Sequence, residues 1–115
     1  MKIIAVTIKN TVRRSDVICR SGGEEFAAIL PATDQPGIHR VAEKIRAAVC
    51  ELDLTDIIDD YPLSVTIGVS DLGDHDMTNA MKRADKALYQ AKEKGRNRVD
   101  SLFSQNDTVD NALLI

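Results

Sequence analysis

An acidic turn and a basic helix end are the two parts of this sequence whose residue types suit phosphate chemistry. The acidic turn is Gly22-Gly23-Glu24-Glu25-Phe26, in which two glycines lead directly into two carboxylates between two apolar runs. Carboxylates bind divalent cations, and glycines let backbone N–H groups approach a ligand closely, so this combination suits a metal-bound phosphate. Taken alone, the same residues are more often an ordinary tight turn with a solvated strand end. In regular β structure the two glutamates would point to opposite faces, so we expect them to have different roles.

The basic helix end is a set of four cations around Gly95, namely Lys92, Lys94, Arg96 and Arg98. Lys92 and Arg96 are four residues apart, which places them on one side of a helix if its last turn persists. The arginine fork matches the oxygens of a phosphate group, so the pair suits a triphosphate. The alternative is that these cations only complement the helix dipole and keep the surface soluble.

Composition limits the classes of protein that fit. A chain of 115 residues forms one small domain, and with 43% hydrophobic but only 3% aromatic residues its core must be aliphatic, which fits an α/β or α+β domain. The net charge of −3 argues against nucleic-acid binding through bulk charge. No apolar run has the length of a membrane span or a signal peptide. Cys19 and Cys50 are too few for a disulfide framework, so we expect buried thiols and a cytoplasmic protein.

The first half of the chain predicts a helix, a hairpin and a second helix. Lys2 to Arg14 has helical spacing of its apolar residues, although part of it is also β-prone, and we favour a helix. Val17–Cys19 and Phe26–Leu30 flank the glycine turn as the strands of a β-hairpin, which Pro31 ends. Asp34 to Cys50 carries start signals and a clean amphipathic stripe, and is the second helix.

The second half predicts a loop, a strand and a helix. Residues 51–62 are expected to be mainly loop. Leu63–Ser70 alternates bulky and small side chains, which indicates a strand whose small face accepts a helix or another close neighbour. Met77 to Ala91 has the stripe of a buried helix, with Gly95 as its natural stop. Val99 begins a short final strand, and a polar tail follows whose last three apolar residues either dock or stay free.

Three motifs then occur in one order along the chain. They are Arg13-Arg14-Ser15-Asp16 leading through Val17-Ile18-Cys19-Arg20-Ser21 into the glycine turn, Leu63-Ser64-Val65-Thr66-Ile67-Gly68-Val69-Ser70, and Ala84-Asp85-Lys86-Ala87-Leu88-Tyr89-Gln90-Ala91-Lys92-Glu93-Lys94-Gly95-Arg96-Asn97-Arg98. Together they resemble the GGDEF domain of bacterial diguanylate cyclases, in a GGEEF variant. The resemblance implies an α+β fold, a nucleotidyl-cyclase or ferredoxin-like palm with an antiparallel-type sheet and packed helices. It covers a partial GGDEF domain at residues 1–103, leaving 104–115 as a C-terminal polar tail.

The resemblance also implies an activity and a site. Such enzymes condense two GTP molecules into cyclic di-GMP, a bacterial second messenger, with one GTP on each domain of an antiparallel homodimer and with Mg²⁺ or Mn²⁺ as cofactor. Glu24 matches the metal-binding acidic position, and Glu25 matches the second acidic position, which the family needs for activity. Gly22 and Gly23 match the turn that lets the backbone approach the nucleotide. Lys92 and Arg96 match the pair that binds its terminal phosphates.

A second site is implied in front of the glycine turn. Arg13 and Asp16 match an Arg-x-x-Asp site at which some members bind their own product, and this predicts feedback inhibition. The same residues are also consistent with a basic helix end followed by a turn-forming aspartate. A further arginine that the family uses in the next helix is replaced by Lys44, which keeps the charge but not the forked donors, so we expect weaker inhibition.

The resemblance lacks its first third, because Met1 matches a position inside the helix that precedes the hairpin. The part of the family domain that has no match here includes the first strand, which bears the other metal-binding aspartate, and the first helix, which recognises guanine. We therefore expect no GTP turnover by this chain alone. Because the absent strand lies centrally in the family, we expect two unpaired strand edges and a homodimer, with strand exchange as one route to it. The alternatives are a non-catalytic cyclic di-GMP receptor, a dimerisation module, or a shortened product without activity.

Overall fold

The structure, a computed structural model, describes residues 2–12, 17–22, 25–51, 64–73, 76–104 and 111–115. Within these residues the chain forms three helices and five strands. In chain order they are α1 (Lys2–Thr11), β1 (Val17–Gly22), β2 (Glu25–Leu30), α2 (Gln35–Cys50), β3 (Ile67–Asp71), α3 (Met77–Glu93), β4 (Val99–Ser101) and β5 (Asn111–Leu114). The predicted first helix, hairpin, second helix and third helix are therefore confirmed. The predicted loop after α2 lies outside the described residues beyond Glu51.

The five strands form one mixed sheet in the order β1-β2-β5-β3-β4. The pairs β1–β2, β2–β5 and β5–β3 are antiparallel, whereas β3 and β4 are parallel. The larger core cluster contains Ile8 of α1, Ile45 of α2 and Leu113 of β5. Ala84 and Leu88 of α3 form a second cluster with Leu114. Since Leu113 and Leu114 point to opposite faces of their strand, the sheet is covered by α1 and α2 on one side and by α3 on the other.

Helix α2 begins where the sequence predicts it. The Asp34 side chain accepts a hydrogen bond from the Gly37 N–H at 2.7 Å, and Pro36 lies in the first turn, where its missing N–H costs nothing. Ile38, Ala42, Ile45 and Val49 are fully buried along one stripe. Capping and amphipathicity thus agree, which is why this helix could be read from the sequence.

Strand β3 confirms the prediction of a bulky and a small face. Ile67 and Val69 lie in the core shared with α2. On the other face, a Cβ added at Gly68 would lie 2.2 Å from the Ala84 carbonyl oxygen, and the Ser70 hydroxyl donates to the Ala80 carbonyl at 2.7 Å. Helix α3 therefore lies directly on the backbone of β3. The strand is shorter than predicted and begins at Ile67, since residues 64–66 are extended chain outside it.

Asp71 at the end of β3 fixes the segment that follows β4. Its carboxylate is fully buried and accepts hydrogen bonds from the N–H and the hydroxyl of Ser104 and from the Gly73 N–H. Arg83 of α3 donates to the Asp71 carbonyl at 2.9 Å. Burial acts to raise the pKa of Asp71, but the hydrogen bonds from Ser104 and Gly73 outweigh it and hold that pKa below its ordinary value.

The end of the chain differs from the expectation of a polar tail. Asn111–Leu114 is the central strand of the sheet, and all four residues are buried. Of the two alternatives for the last apolar residues, docking is the one that the structure shows, and the docked strand begins at Asn111, which was expected in the polar segment; residues 105–110 lie outside the described part of the chain. The physical reason is that two facing strands, β2 and β3, each offer a row of backbone groups that only a strand between them can satisfy.

The position of β5 also corrects the expectation of two open strand edges. β5 is paired antiparallel with β2 on one side and with β3 on the other, within one chain. The inner edges of β2 and β3 therefore need no second molecule, and the predicted reason for strand exchange is removed.

Candidate functional site

The acidic turn lies at the tip of the β1–β2 hairpin. Gly22 ends β1 and is paired with Glu25, the first residue of β2, after a shift of register between Arg20 and Gly22. Gly23 and Glu24, between them, lie outside the described residues. Arg13 and Asp16 do so too. The structure therefore confirms the hairpin that carries the acidic turn, and the chemical roles of these residues remain predictions.

The basic segment is held by a glycine turn at the end of α3. The Gly95 N–H donates to the Lys92 carbonyl at 3.3 Å and the Arg96 N–H to the Ala91 carbonyl at 3.1 Å, the two bonds of a Schellman motif. Gly95 has a φ of 120°, which only glycine adopts readily. The helix therefore ends at Glu93, and Arg96 is not on its surface. The condition under which Lys92 and Arg96 would share one helical face, a last turn that persists to Arg96, is therefore not met.

Two residues after the glycine also adopt left-handed backbone conformations. Arg96 has a φ of 63° and Asn97 a φ of 48°, which costs roughly 1–2 kcal/mol for a residue other than glycine, although asparagine tolerates it best. Strain of this kind persists only where neighbouring contacts fix the chain. We therefore infer that contacts with neighbouring residues hold the turn at residues 95–97 in this conformation.

Asn97 supplies contacts that fix this turn. Its N–H donates to the Thr66 hydroxyl at 3.1 Å, and its side-chain oxygen accepts from Nη1 of Arg46 at 3.1 Å and lies 3.1 Å from the Cys50 sulfur. Arg46 is held in turn by Glu43, whose hydrogen bonds to the guanidinium raise the Arg46 pKa. These bonds tie the basic turn to the end of α2, so Asn97 positions the backbone of Arg96.

No periodic pattern in the sequence indicates this arrangement, because the contacting residues of α2 and the turn are 47 to 51 residues apart. The asparagine directly after Gly95-Arg96 was the one available hint, since asparagine is favoured in left-handed turns. The expectation that Cys50 is a buried thiol is also wrong. Cys50 is exposed, because it is the last residue of α2 and faces this turn.

The four cations around Gly95 fall into two pairs. Lys94 and Arg98 form ion pairs with Asp100, at 3.1 Å and 3.7 Å. Lys92 and Arg96 are exposed and have no side-chain hydrogen bond or ion pair with any residue that the structure describes. An anion meeting this surface would therefore find two uncompensated charges, one on the helix and one on the turn.

The described residues do not complete a metal site beside the acidic turn. No three or more His, Cys, Asp or Glu side chains among them are arranged to hold a metal ion. On the strand next to β2, the residue facing Phe26 is Ile115, which exchanges two backbone hydrogen bonds with it at 2.8 Å and 3.2 Å. Asn111–Leu114 carries no carboxylate. The second carboxylate that Mg²⁺ or Mn²⁺ would need is thus not supplied by β5.

Lys44, which stands in for the arginine of the implied product site, is exposed on α2. Together with Arg40 and Asp34 it lines a shallow cavity at the start of that helix. The cavity presents two cations to solvent. Whether Arg13 and Asp16 reach it is a prediction, since both lie outside the described residues.

In the part of the chain that the structure describes, none of the helices combines the length and the apolar character that crossing a membrane requires.

Comparison with known proteins gives a consistent result. The family model described as "Diguanylate cyclase, GGDEF domain" matches residues 1–98. The chain is 37% identical over 103 residues to diguanylate cyclase DgcP of Pseudomonas aeruginosa, covering 87% of this chain and 15% of that protein. It is 39% identical over 103 residues to the response regulator PleD of Caulobacter vibrioides, covering 86% and 23%. The chain thus spans less than a quarter of the length of either relative.

Solved structures agree with the sequence matches. The GGDEF domain of DgcB from Caulobacter crescentus in complex with c-di-GMP superposes with a TM-score of 0.76 at 31% identity, covering 85% of this chain and 60% of that one. Diguanylate cyclase SiaD from Pseudomonas aeruginosa, solved with its activator SiaC, gives a TM-score of 0.73 at 32% identity, covering 86% and 38%. The α+β palm fold implied by the sequence is confirmed. The chain belongs to the GGDEF domain family of diguanylate cyclases.

Proposed function

We propose that this chain carries the phosphate-binding part of a diguanylate cyclase site, in which Lys92 and Arg96 hold the terminal phosphates of GTP. The observation that carries the proposal is the division of the four cations into two pairs. Asp100 forms ion pairs with Lys94 and Arg98, whereas the two cations implied by the family have no anionic partner among the residues that the structure describes. The strained, hydrogen-bonded turn then presents Arg96 in a fixed place.

The acidic turn takes the remaining roles in this proposal. Glu24 would supply one ligand to Mg²⁺ or Mn²⁺, which when bound would neutralise charge on the phosphates, and Glu25 would serve at the second acidic position. Gly22 and Gly23 let the backbone approach the nucleotide. The reaction of such a site is the attack of each ribose 3′-hydroxyl on the α-phosphorus of the opposite GTP, forming two P–O bonds and releasing two pyrophosphates.

The phosphate contact is tested by binding. GTP with Mn²⁺ is titrated into the chain and into the variants Lys92→Ala and Arg96→Ala, with calorimetry as the readout. A charge-assisted contact contributes about 1.5–3 kcal/mol, so we expect affinities roughly 10- to 100-fold weaker. Lys94→Ala is the matched control, because Lys94 already has an anionic partner in Asp100. Equal losses in all three variants would mean that the basic turn acts only through its overall charge.

The 115 residues by themselves are proposed not to turn over GTP. The position that the family gives to its aspartate-bearing strand is filled by β5, which brings no carboxylate. Incubation with GTP and Mg²⁺ or Mn²⁺, followed by mass spectrometry, should show no cyclic di-GMP. Measurable product would overturn this part of the proposal while leaving phosphate binding intact.

A second candidate function is that of a cyclic di-GMP receptor. It is favoured by the exposed cations Arg40 and Lys44 around the cavity at the start of α2, and by the resemblance of Arg13 and Asp16 to a product-binding site. The structure of DgcB, a neighbour of this fold, is described as a complex with c-di-GMP. Calorimetry with cyclic di-GMP separates the two functions. Binding that Arg13→Ala abolishes, in a chain to which GTP does not bind, would favour the receptor.

We further propose a cytoplasmic homodimer in which two domains face each other, because the condensation needs two bound GTP molecules. Sedimentation of the chain with and without GTP measures this association directly. A monomer at all concentrations, with GTP bound, would contradict it.

A further inference from the structure

Arg46 of α2 is joined to the basic turn by a hydrogen bond between side chains. Its Nη1 donates to the side-chain oxygen of Asn97 at 3.1 Å, across 51 residues of sequence. The Cys50 sulfur lies at the same distance from that oxygen, but a thiol is a weak donor, whereas a hydrogen bond from a guanidinium is charge-assisted. Of these two donors from α2, Arg46 therefore contributes the stronger contact to Asn97.

The Arg46 side chain is held in place on α2 itself. Its Nε and Nη2 donate to the Glu43 carboxylate at 3.0 to 3.1 Å, which leaves Nη1 as the nitrogen that contacts Asn97. The helix is anchored in turn by Ile45 and Val49, which are fully buried. A long side chain that is already fixed loses little conformational freedom when it makes one more bond. Arg46 thus connects the packed core to the turn.

The orientation of Arg96 depends on the backbone of that turn. The Arg96 side chain has no hydrogen bond or ion pair with any residue that the structure describes, so the backbone sets the direction in which it projects. The backbone is left-handed at Arg96 and at Asn97, with φ of 63° and 48°, which is disfavoured for residues other than glycine. A change to the right-handed conformation would turn the Arg96 side chain in another direction.

The strain in the turn and the bond from Arg46 are similar in size. Each corresponds to a factor on the order of 10 in an equilibrium constant. Loss of the Arg46 bond is therefore enough to shift the equilibrium between the left-handed and the right-handed turn. The Asn97 N–H would still donate to the Thr66 hydroxyl at 3.1 Å, so we expect the shift to be partial.

We propose that Arg46 is a positioning residue for the terminal phosphates of the nucleotide, because it holds Asn97 and thereby fixes the left-handed turn from which Arg96 projects. The positioning role rests on the proposed function of Lys92 and Arg96, whereas the fixing of the turn does not. The proposal extends the nucleotide site to α2, a helix to which the family resemblance assigns no phosphate-binding residue.

The first measurement needs no nucleotide. The Cα and Cβ chemical shifts of Arg96 and Asn97, which distinguish left-handed from right-handed backbone, are compared by NMR in wild type and in Arg46→Met. Methionine keeps a long apolar stem but donates no hydrogen bond. We expect the shifts of both residues to move toward right-handed values. The matched control is Lys82→Met, which removes one exposed cation near the start of α3 and should leave the shifts unchanged. Fully left-handed shifts in Arg46→Met would overturn the proposal.

The second measurement is the affinity for GTP with Mn²⁺, obtained by calorimetry well below the Tm of each variant. Arg46→Met should weaken binding roughly three- to tenfold, and Lys82→Met should leave it unchanged. Arg46→Lys should recover part of the loss, because lysine keeps the charge but lacks the fork that serves Glu43 and Asn97 together. In a chain that already carries Asn97→Ala, adding Arg46→Met should cause no further loss. Fully additive losses would show that Arg46 acts by another route and would overturn the proposal.

The two measurements separate this proposal from the proposed function. If wild type binds no GTP, the proposed function fails and the positioning role fails with it, while the chemical shifts still decide whether Arg46 fixes the turn. If wild type and Arg46→Met bind GTP equally well, the proposed function stands and the positioning role is overturned, even if the Tm falls. If Arg46→Met does not fold, Arg46→Lys replaces it in both measurements. Smaller changes in the same direction are then expected, and unchanged shifts and affinity would contradict the proposal.

Discussion

Replacing Gly68 with alanine tests the contact on which the small face of β3 depends. The added Cβ would lie 2.2 Å from the Ala84 carbonyl oxygen, 2.5 Å from the Leu88 nitrogen and 2.9 Å from the Leu88 Cβ. An ordinary carbon–oxygen contact is about 3.3 Å or more, so α3 would have to move roughly 1 Å away from the sheet. The two nearest atoms belong to the helix backbone, which cannot rotate aside as a side chain can.

The magnitude follows from what that movement disturbs. Overpacking of a tight interface costs about 1–3 kcal/mol, and weakening the bond from the Ser70 hydroxyl to the Ala80 carbonyl adds about 1 kcal/mol. We therefore expect Gly68→Ala to lower the free energy of unfolding by about 2–4 kcal/mol. At about 4 °C per kcal/mol for a domain of this size, the Tm should fall by roughly 8–16 °C.

Urea unfolding followed by circular dichroism measures the loss, and Gly95→Ala is the matched control. Gly95 has open space around its Cβ position but a φ of 120°, so its replacement introduces backbone strain without a clash, at about 1–2 kcal/mol. We therefore expect the free energy of unfolding to be lowest for Gly68→Ala, intermediate for Gly95→Ala and highest for wild type. If the free energy of unfolding of Gly68→Ala were within about 1 kcal/mol of the wild-type value, the direct packing of α3 on β3 would be refuted.

Three further outcomes follow from the contacts described above. Asp71→Asn should destabilise the chain at neutral pH. Folding lowers the pKa of Asp71 from 3.8, so its charged form contributes its full stability above that pH and loses it as the pH falls through the folded-state pKa. The difference in Tm between this variant and wild type should therefore shrink in acid. Asn97→Ala should weaken GTP binding several-fold by loosening Arg96, measured by calorimetry, whereas Asn97→Asp, which keeps an acceptor and tolerates the left-handed backbone, should restore most of the affinity; equal losses would show that Asn97 does not position Arg96. Lys44→Arg should tighten cyclic di-GMP binding if this residue serves the product site, since arginine adds forked donors, and an unchanged dissociation constant would exclude that role.

Much of the fold was predictable because local signals agreed with one another. The Asp34 cap, Pro36 and the stripe of α2 all mark the same helix, and the alternation around Gly68 indicates which face of β3 takes α3. These signals act over a few residues, within which periodicity and turn chemistry are informative.

The candidate site was predictable in part. The residues that could bind phosphate were found from their types and order, and the family comparison confirms the motif set to which they belong. Their presentation was not predicted, because the sequence indicates a helix stop at Gly95 but not the direction that the chain takes after it. The glycine turn ends the helix, and Asn97 fixes the new direction through Arg46, a residue far away in the sequence.

Residue types and their spacing were enough to identify the family, the three helices, the hairpin and the set of cations around Gly95. The fold places Asp100 against Lys94 and Arg98, whereas Lys92 and Arg96 have no anionic partner in the part of the chain that the structure describes. Only the tertiary structure decided that Asn111–Leu114 is the centre of the sheet. Four residues after a polar segment give too little pattern to identify a strand. Their place follows from the backbone groups of β2 and β3, which lie far away in the sequence and need a partner between them.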